Sequence, residues 1–175
     1  MDTGDTFTIV GSGTQVGIRF NGASMSDTID SCTIQLNNSF GNDDPEMDID
    51  GEDVDDASTF TTSNNDITNR TRTTAQVTWT ETDTGTGWVT SAELKTIAQE
   101  ISDRPSFAGD GLVFILTGLS GINVFGMNSY DNDTALAPKC DIDYSVAAAS
   151  SSRSRTAHSI ARPACRGAAF STTED

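Results

Sequence analysis

Histidine is almost absent from this sequence of 175 residues, which contains only His158. Metal centres built on histidine use two or three imidazole ligands, so the composition argues against that type of site. A Ser-His-Asp triad would have to use His158, which lies in a polar segment near the C-terminus. The sequence therefore favours neither kind of chemistry.

Cysteine is scarce as well. Cys32, Cys140 and Cys165 are widely spaced, odd in number and never arranged as C-x-x-C, so no zinc site is indicated. Cys32 lies on the apolar face of a candidate strand, so we expect it to pack in the core and not to act as a reactive thiol.

Long apolar runs are missing too. No run approaches the roughly 20 residues that a membrane-spanning helix needs, so we expect no membrane partner. Residues 1–5 have neither the basic nor the apolar stretch of a signal peptide, which predicts a chain made in a cytoplasm.

Basic residues are few: 10 Lys and Arg stand against 26 Asp and Glu, for a net charge of -16. Phosphate groups repel such a surface, so we expect no nucleic-acid partner. The charge fits a soluble protein, a cation binder or a protein with a basic partner. Hydrophobic residues make up 35% of the chain, which together with 15 Gly allows one modest core and predicts a single domain.

The stretch from Trp88 to Gly118 contains the best-marked helix. Thr90 and Glu93 have the spacing of a capping box. Apolar residues at helical spacing then define one buried face, formed by Leu94, Ile97, Ala98 and Ile101. Pro105 disfavours helix at the residue before it, so we predict one helix over about residues 91–103.

The run Leu112–Leu116 (LVFIL) is apolar at every position and predicts a strand buried on both faces. Alternating segments between Gly, Asn and Asp turns predict the other strands, at residues 6–10, 15–20, 28–36, 75–79, 122–127 and 139–144 and around Met47. Eight to nine short strands with one helix in a crossover predict an all-β fold, an antiparallel β-sandwich or jelly roll.

Nine acidic residues crowd into residues 43–56. The segment from Glu46 to Gly51 resembles the opening of a calcium loop, but the twelfth position is Ala57, where an EF-hand has Glu. Met47 and Ile49 alternate with acids, which favours a strand that shows a row of carboxylates to solvent or to a partner. A hydrolase would instead need two carboxyl groups in contrasting environments inside a cleft.

Two further groups are candidate sites. Asp131 and Asp133 could hold one hard cation such as Ca²⁺, although Asx-turn chemistry explains the same residues without a metal. Trp79, Trp88 and Tyr130 are candidate platforms for stacking a sugar, although such aromatics more often belong to a core or its rim. No other cofactor is indicated.

The composition changes near residue 147. Residues 1–146 carry a net charge of -18 and residues 147–175 a net charge of +2, and this tail is rich in Ser, Ala and Arg. We predict a sandwich domain over 1–146 and a basic arm, outside the core, over 147–175. Four arginines of the arm are candidate contacts to an acidic neighbour: Arg153, Arg155, Arg162 and Arg166.

Several segments together resemble a β-sandwich domain that recurs in large secreted bacterial surface proteins. The similarity spans about Gln15 to Tyr144, and its most specific parts are Gln99-Glu100-Ile101, Asp103-Arg104-Pro105 and Ser129-Tyr130-Asp131 through Ala137-Pro138. Phe107 stands where that family tends to have Trp, and Cys140 where it has an aliphatic residue. The resemblance implies a sandwich fold with glycan binding or adhesion, and it implies no catalytic residues.

A stand-alone sandwich of this size without an export signal also resembles the decoration, or cement, proteins of tailed-phage heads. This second resemblance implies a non-enzymatic structural protein on the virion surface, made in the host cytoplasm. Its partners would be the major capsid protein or neighbouring copies of itself, in a homo-oligomer for which a trimer is one candidate. The alternative is a carbohydrate-binding or adhesion module of a bacterial surface protein, at the cell surface or outside the cell.

Overall fold

The protein is described by a computed structural model that covers residues 6–23, 25, 28–41, 44–82, 85–109, 111–119, 124–146 and 164–172, the last range as backbone only. Within these ranges the chain forms ten strands and one helix. In chain order they are β1 (Thr6–Val10), β2 (Gln15–Asn21), β3 (Thr28–Gly41), β4 (Glu46–Glu52), β5 (Arg72–Thr80), β6 (Gly87–Thr90), α1 (Lys95–Ser102), β7 (Gly111–Gly118), β8 (Val124–Asn128), β9 (Lys139–Ser145) and β10 (Ala164–Thr172). No helix in this part of the chain is long and apolar enough to cross a membrane.

The strands form two antiparallel sheets. Sheet A has the order β1-β8-β3-β9-β10, and β6 also pairs with β3, along residues 35–38. Sheet B has the order β10-β2-β7-β4-β5. The predicted all-β sandwich with one helix is confirmed, and two strands, β6 and β10, were not among those predicted from the sequence.

β7 has apolar side chains on both of its faces. Phe114 and its alternate neighbours face the core between the two sheets, whereas Val113 and Ile115 point to the opposite side of sheet B. There the covering segment, defined as residues 53–71, packs Phe60 and Ile67 against them. The prediction of a strand buried on both faces is therefore confirmed.

The helix begins later than predicted. α1 spans Lys95–Ser102 instead of about 91–103, and Thr90 is the last residue of β6. The capping box is wrong, because the Glu93 carboxylate accepts the backbone N–H groups of Cys32 (2.7 Å) and Lys95 (3.0 Å). The predicted apolar face is correct, since Leu94, Ile97, Ala98 and Ile101 are all buried.

Residues 91–94 lie along β3 instead of forming a helical turn. The Ser91 N–H donates to the Ile34 carbonyl at 2.9 Å, and the Leu94 N–H donates to the Cys32 carbonyl at 2.7 Å. The Ser91 hydroxyl in turn accepts the Ile34 N–H at 3.0 Å. Pairing with a distant strand therefore satisfies these backbone groups and delays the helix.

The helix joins the two sheets through its side chains. Gln99 Oε1 accepts the backbone N–H of Ile29 on β3 at 2.8 Å. The two Glu100 oxygens accept the backbone N–H groups of Thr74 and Ala75 on β5, each at 2.7 Å. Because β5 is the end strand of sheet B, Glu100 satisfies donors that would otherwise form an open edge. The Gln-Glu-Ile motif therefore has a structural explanation.

Replacing Glu100 should loosen this junction. We expect Glu100→Ala to lower the free energy of unfolding by about 1.5–3 kcal/mol, because two charge-assisted hydrogen bonds to strand N–H groups are lost. Lys95→Ala, at an exposed position of the same helix, is the control and should change it by no more than about 0.5 kcal/mol. Equal urea midpoints for the two variants would contradict this assignment.

Part of the predicted arm belongs to the sheets. Within β10, residues 164–166 pair with β9 and residues 167–172 pair with β2. The assignment of the whole range 147–175 to an arm outside the core is therefore revised for 164–172, while residues 147–163 lie outside the described part of the chain. The boundary near residue 146 stays a prediction.

Candidate functional site

The acidic segment is only partly the solvent-facing row that its sequence predicts. On β4, Met47 and Ile49 point into the core and the acids point to the outer face of sheet B. However, Asp50 and Glu52 are buried, since the covering segment folds back over this face. The prediction of a solvated carboxylate row is wrong for these two residues.

Arginines from later in the chain neutralise the segment. Arg70 bonds Glu52 at 2.5 Å and Asp66 at 3.3 Å, and its guanidinium lies 4.1 Å from the centroid of the Phe60 ring. A second group lies near the end of α1, where Arg104 contacts Asp53 at 2.5 Å and Asp55 at 2.8 Å. The Arg70–Glu52 pair attaches the covering segment to sheet B, and the Arg104 pairs attach the covering segment to the end of α1.

Asp50 and Arg72 form a less well-satisfied pair beside them. Asp50 accepts a hydrogen bond from Gln76 at 3.0 Å, but the Arg72 guanidinium stands 4.0 Å from its other oxygen. Among the described residues, Arg72 Nη1 has no hydrogen-bond partner although it is buried. Burial raises the pKa of Asp50, against opposing effects of Gln76 and Arg72, and burial also lowers the pKa of Arg72.

The Asp50 shift predicts a particular pH dependence. We expect its carboxyl carbon to titrate, in an NMR experiment, above the ordinary pKa of 3.8, and higher still in Arg72→Met, which removes the favourable charge. The pKa of Asp50 is higher in the native state than in the unfolded chain. The protonated Asp50 carboxyl therefore contributes to the free energy of unfolding in full below pH 3.8, and this contribution is lost as the pH rises through the native pKa. Asp50→Asn should abolish this component, and a native titration at or below 3.8 would refute the assignment.

The outer face of sheet A carries a different surface, the Trp88 face, which consists of the exposed rings of Phe40 and Trp88, Lys139, and the buried amides of Asn37 and Asn128 beneath them. Trp88 on β6 lies opposite Asn37 on β3, and its side chain is 41% exposed. The Lys139 ammonium lies 3.6 Å from the centroid of the indole ring, a cation–π contact. Phe40, also exposed, lies over Gly126, where a Cβ atom would come within 2.5 Å of the Phe40 ring.

Amide side chains hold the rest of this face in place. The Asn128 amide donates to Asn37 Oδ1 at 2.7 Å, and the Asn132 amide donates to Asn128 Oδ1 at 3.0 Å. Ser129 Oγ accepts the Asn132 N–H at 3.1 Å, which closes the turn that carries the exposed Tyr130. A chain of hydrogen bonds therefore connects β3, β8 and the turn after β8, and it fixes the polar groups beside Trp88.

The three predicted platforms have different environments. Trp79 is buried and packs edge to face against Phe125, with ring centroids 6.0 Å apart, so it is not available to a sugar. Trp88 and Tyr130 are exposed, at 41% and 39%. The structure therefore retains two of the three aromatic candidates and places Trp79 in the core.

The predicted cation ligands Asp131 and Asp133 lie in the turn after β8. Asp133 Oδ1 accepts the backbone N–H of Ala135 at 2.8 Å, as in an Asx turn. In the described part of the chain, no three His, Cys, Asp or Glu side chains are grouped so that they could hold a metal ion. Ca²⁺ binding therefore stays a prediction.

Of the four arm arginines, Arg153, Arg155 and Arg162 lie outside the described residues. Arg166 is placed as backbone only, opposite Lys139 at the point where β10 passes from sheet A towards sheet B. Whether the four lie together is therefore not tested, and their contact role stays a prediction.

Sequence reasoning did not identify Asn37, Asn128 and Lys139 as parts of a surface. One signal was available, because Asn is depleted in strands and the Asn37-Asn38 pair interrupts the alternation of β3. The contact between Asn37 and Asn128, about 90 positions apart, leaves no pattern in the local sequence.

The fold and its surface define the class of this protein: an antiparallel β-sandwich with a rigid aromatic and amide face on one sheet. Comparisons with protein-family models, with curated protein sequences and with solved structures find no match for the chain.

Proposed function

We propose that this chain is a non-enzymatic structural binding protein that decorates the outside of a tailed-phage head. The observation that carries the proposal is the Trp88 face, where exposed Trp88 and Phe40 stand on paired strands and are flanked by fixed amides. Binding hot spots are enriched in Trp and surrounded by groups that exclude water. A rigid surface also loses little conformational entropy when it binds.

The acidic residues support a structural role over a catalytic one. Three carboxylates of the acidic segment, those of Glu52, Asp53 and Asp55, form ion pairs with Arg70 and Arg104 that attach the covering segment to sheet B and to the end of α1. General acid–base hydrolysis uses two carboxyl groups on either side of a substrate, in contrasting environments. In this protein the paired carboxylates hold the parts of the sandwich together. The acidic charge of residues 1–146 favours a partner that presents basic groups.

Cosedimentation with expanded phage heads tests the proposal. Trp88→Ala should weaken binding by about 2 kcal/mol or more, roughly 30-fold, as expected of a central aromatic contact. Val146→Ala is the control, because Val146 is exposed at the end of β9 and outside the Trp88 face. If the wild-type protein does not bind heads, the decoration role is refuted. If both variants bind like the wild type, the assigned surface is wrong.

A carbohydrate-binding or adhesion role is the second candidate, because Trp88 also has the environment of a sugar platform. Lys139 covers one face of the indole ring, so a pyranose would stack on the other. On a glycan array, this role predicts retention that Trp88→Ala abolishes and Trp88→Phe partly preserves. Absence of any retention, together with binding to heads, would decide for decoration.

A further inference from the structure

The C-terminal strand closes both sheets of the sandwich. β10 is the partner of β9 in sheet A and the partner of β2 in sheet B. On its other edge β2 pairs with β7, and β9 pairs with β3. Without β10, both strands would present rows of backbone N–H and C=O groups that attract another strand.

The connection to β10 is much longer than this pairing needs. β9 ends at Ser145 and β10 begins at Ala164, which lies opposite Asp141. Neighbouring antiparallel strands are usually joined by about 2–5 residues. Here eighteen residues intervene, rich in Ser, Ala and Arg. Fully extended, they would span on the order of 60 Å, against a radius of gyration of roughly 15 Å for a domain of this size.

We propose that β10 is exchanged between neighbouring copies of this chain, so that the C-terminal strand of one copy fills the slot between β9 and β2 of the next. The acceptor surface is the same in both arrangements, because an exchanged strand makes the same ladder contacts as an intrachain strand. Opposite charges favour the approach, since residues 1–146 carry -18 and the tail carries +2.

Local concentration decides between the two arrangements. A covalent connection of this length supplies an effective concentration in the millimolar range for its own slot. Exchange is therefore favoured where copies are crowded side by side at comparable density. The inference does not depend on the phage assignment, because it follows from the pairing of β10 and the length of its connection.

Two native cysteines report directly on the location of β10. Cys165 lies opposite Cys140 in the ladder between β10 and β9. Directly opposite residues of antiparallel strands have Cα atoms about 4.5–5.5 Å apart, within the range that a disulfide spans. In a Cys32→Ala background, one full-length chain would carry Cys140→Ala and the other Cys165→Ala, so a Cys140–Cys165 bond between these two chains requires exchange.

The two chains, one bearing a mass tag, would be unfolded, mixed, refolded together at high concentration and treated with oxidised glutathione. The two thiols lose two protons and two electrons to form the disulfide, and glutathione disulfide is reduced to two glutathione molecules. We expect a covalent heterodimer several-fold above the homodimers that either chain forms alone. A Cys32→Ala chain that retains both thiols is the intrachain control.

Absence of the heterodimer overturns the exchange when the control chain closes its own disulfide. If the control chain forms none, β10 does not lie beside β9, and the pairing on which the exchange rests is wrong. The wild-type chain offers a measurement that does not depend on the cysteine variants. Oligomers refolded at high concentration should dissociate slowly on dilution when followed by native mass spectrometry, because β10 must leave both sheets first. Complete dissociation within the mixing time would also overturn the inference.

Discussion

Arg70→Ala should lower the free energy of unfolding by about 3–5 kcal/mol, because it leaves the buried carboxylate of Glu52 without its cation. The exposed fractions of the two side chains are 7% and 9%, and they meet at 2.5 Å. Arg70 also donates to the carbonyls of Ser58 and Thr59, so the same change releases two backbone acceptors of the covering segment. For a domain with a total stability of about 5–15 kcal/mol, this loss approaches unfolding.

Arg104→Ala is the matched control for this prediction. Arg104 contacts Asp53 at the same 2.5 Å, but both side chains are 30% exposed. Exposed ion pairs contribute about 0–1 kcal/mol to stability. If the N–O distance alone set the strength of the pair, the two variants would lose equal stability, whereas burial predicts a larger loss in Arg70→Ala. Urea denaturation of the two variants measures the difference. Losses of similar size would show that desolvation of Glu52 is not the main cost.

A double replacement separates the charge from the packing. In Arg70→Met with Glu52→Leu, no charge of the pair is left buried, so we expect much of the stability lost in Arg70→Met to return. A double variant as unstable as the single one would mean that the hydrogen bonds to the covering segment dominate. Amide exchange in residues 53–71 should follow the stability in either case.

Phe60→Ala should lower the free energy of unfolding by about 3–5 kcal/mol, which is the second of the two largest losses of stability that we expect. Phe60 is buried with Val113 and Ile115 and is the largest apolar side chain by which the covering segment contacts sheet B. Its ring lies against Gly17 of β2, where a Cβ atom would stand 2.3 Å from the ring. Removing the ring leaves a cavity and takes away the surface under the Arg70 guanidinium.

Phe40→Ala is the control for this change, because Phe40 has the same ring but is exposed and should cost less than about 1 kcal/mol. The contact with Gly17 gives a second check. Gly17→Ala should destabilise the wild type by about 1–3 kcal/mol through overpacking and should cost less in the Phe60→Ala background. Additive losses, or a Phe60→Ala cost no larger than that of Phe40→Ala, would contradict the packing assigned to this ring.

The strands that sequence reasoning found are those with strong local periodicity. β2 and β9 alternate apolar and polar residues, and β7 is apolar throughout, so the pattern itself reports burial. The end of α1 was predictable because Pro105 acts on its immediate neighbours. The start of α1 was not, since residues 91–94 bond to β3, some 57 to 62 positions earlier in the chain.

The two tryptophans show the same limit at the candidate site. Trp79 continues the alternation of Ala75 and Val77, which indicates a core position. Trp88 lies in a strand of only four residues, which is too short to show an alternating pattern. The cation that contacts Trp88 is 51 positions away, and the amides beside it come from β3 and β8. No local pattern could have assembled them.

The sequence by itself determined the fold class, the strands with period two, the apolar face of the helix and the acidic character of the body. All of these depend on neighbours within one turn or one strand, where side-chain spacing directly dictates which face is buried. The tertiary structure alone decided which acids are buried with arginine, which tryptophan is exposed and that residues 164–172 close both sheets. These features depend on contacts between residues far apart in the chain, and their energies come from the desolvation and pairing that only the folded packing creates.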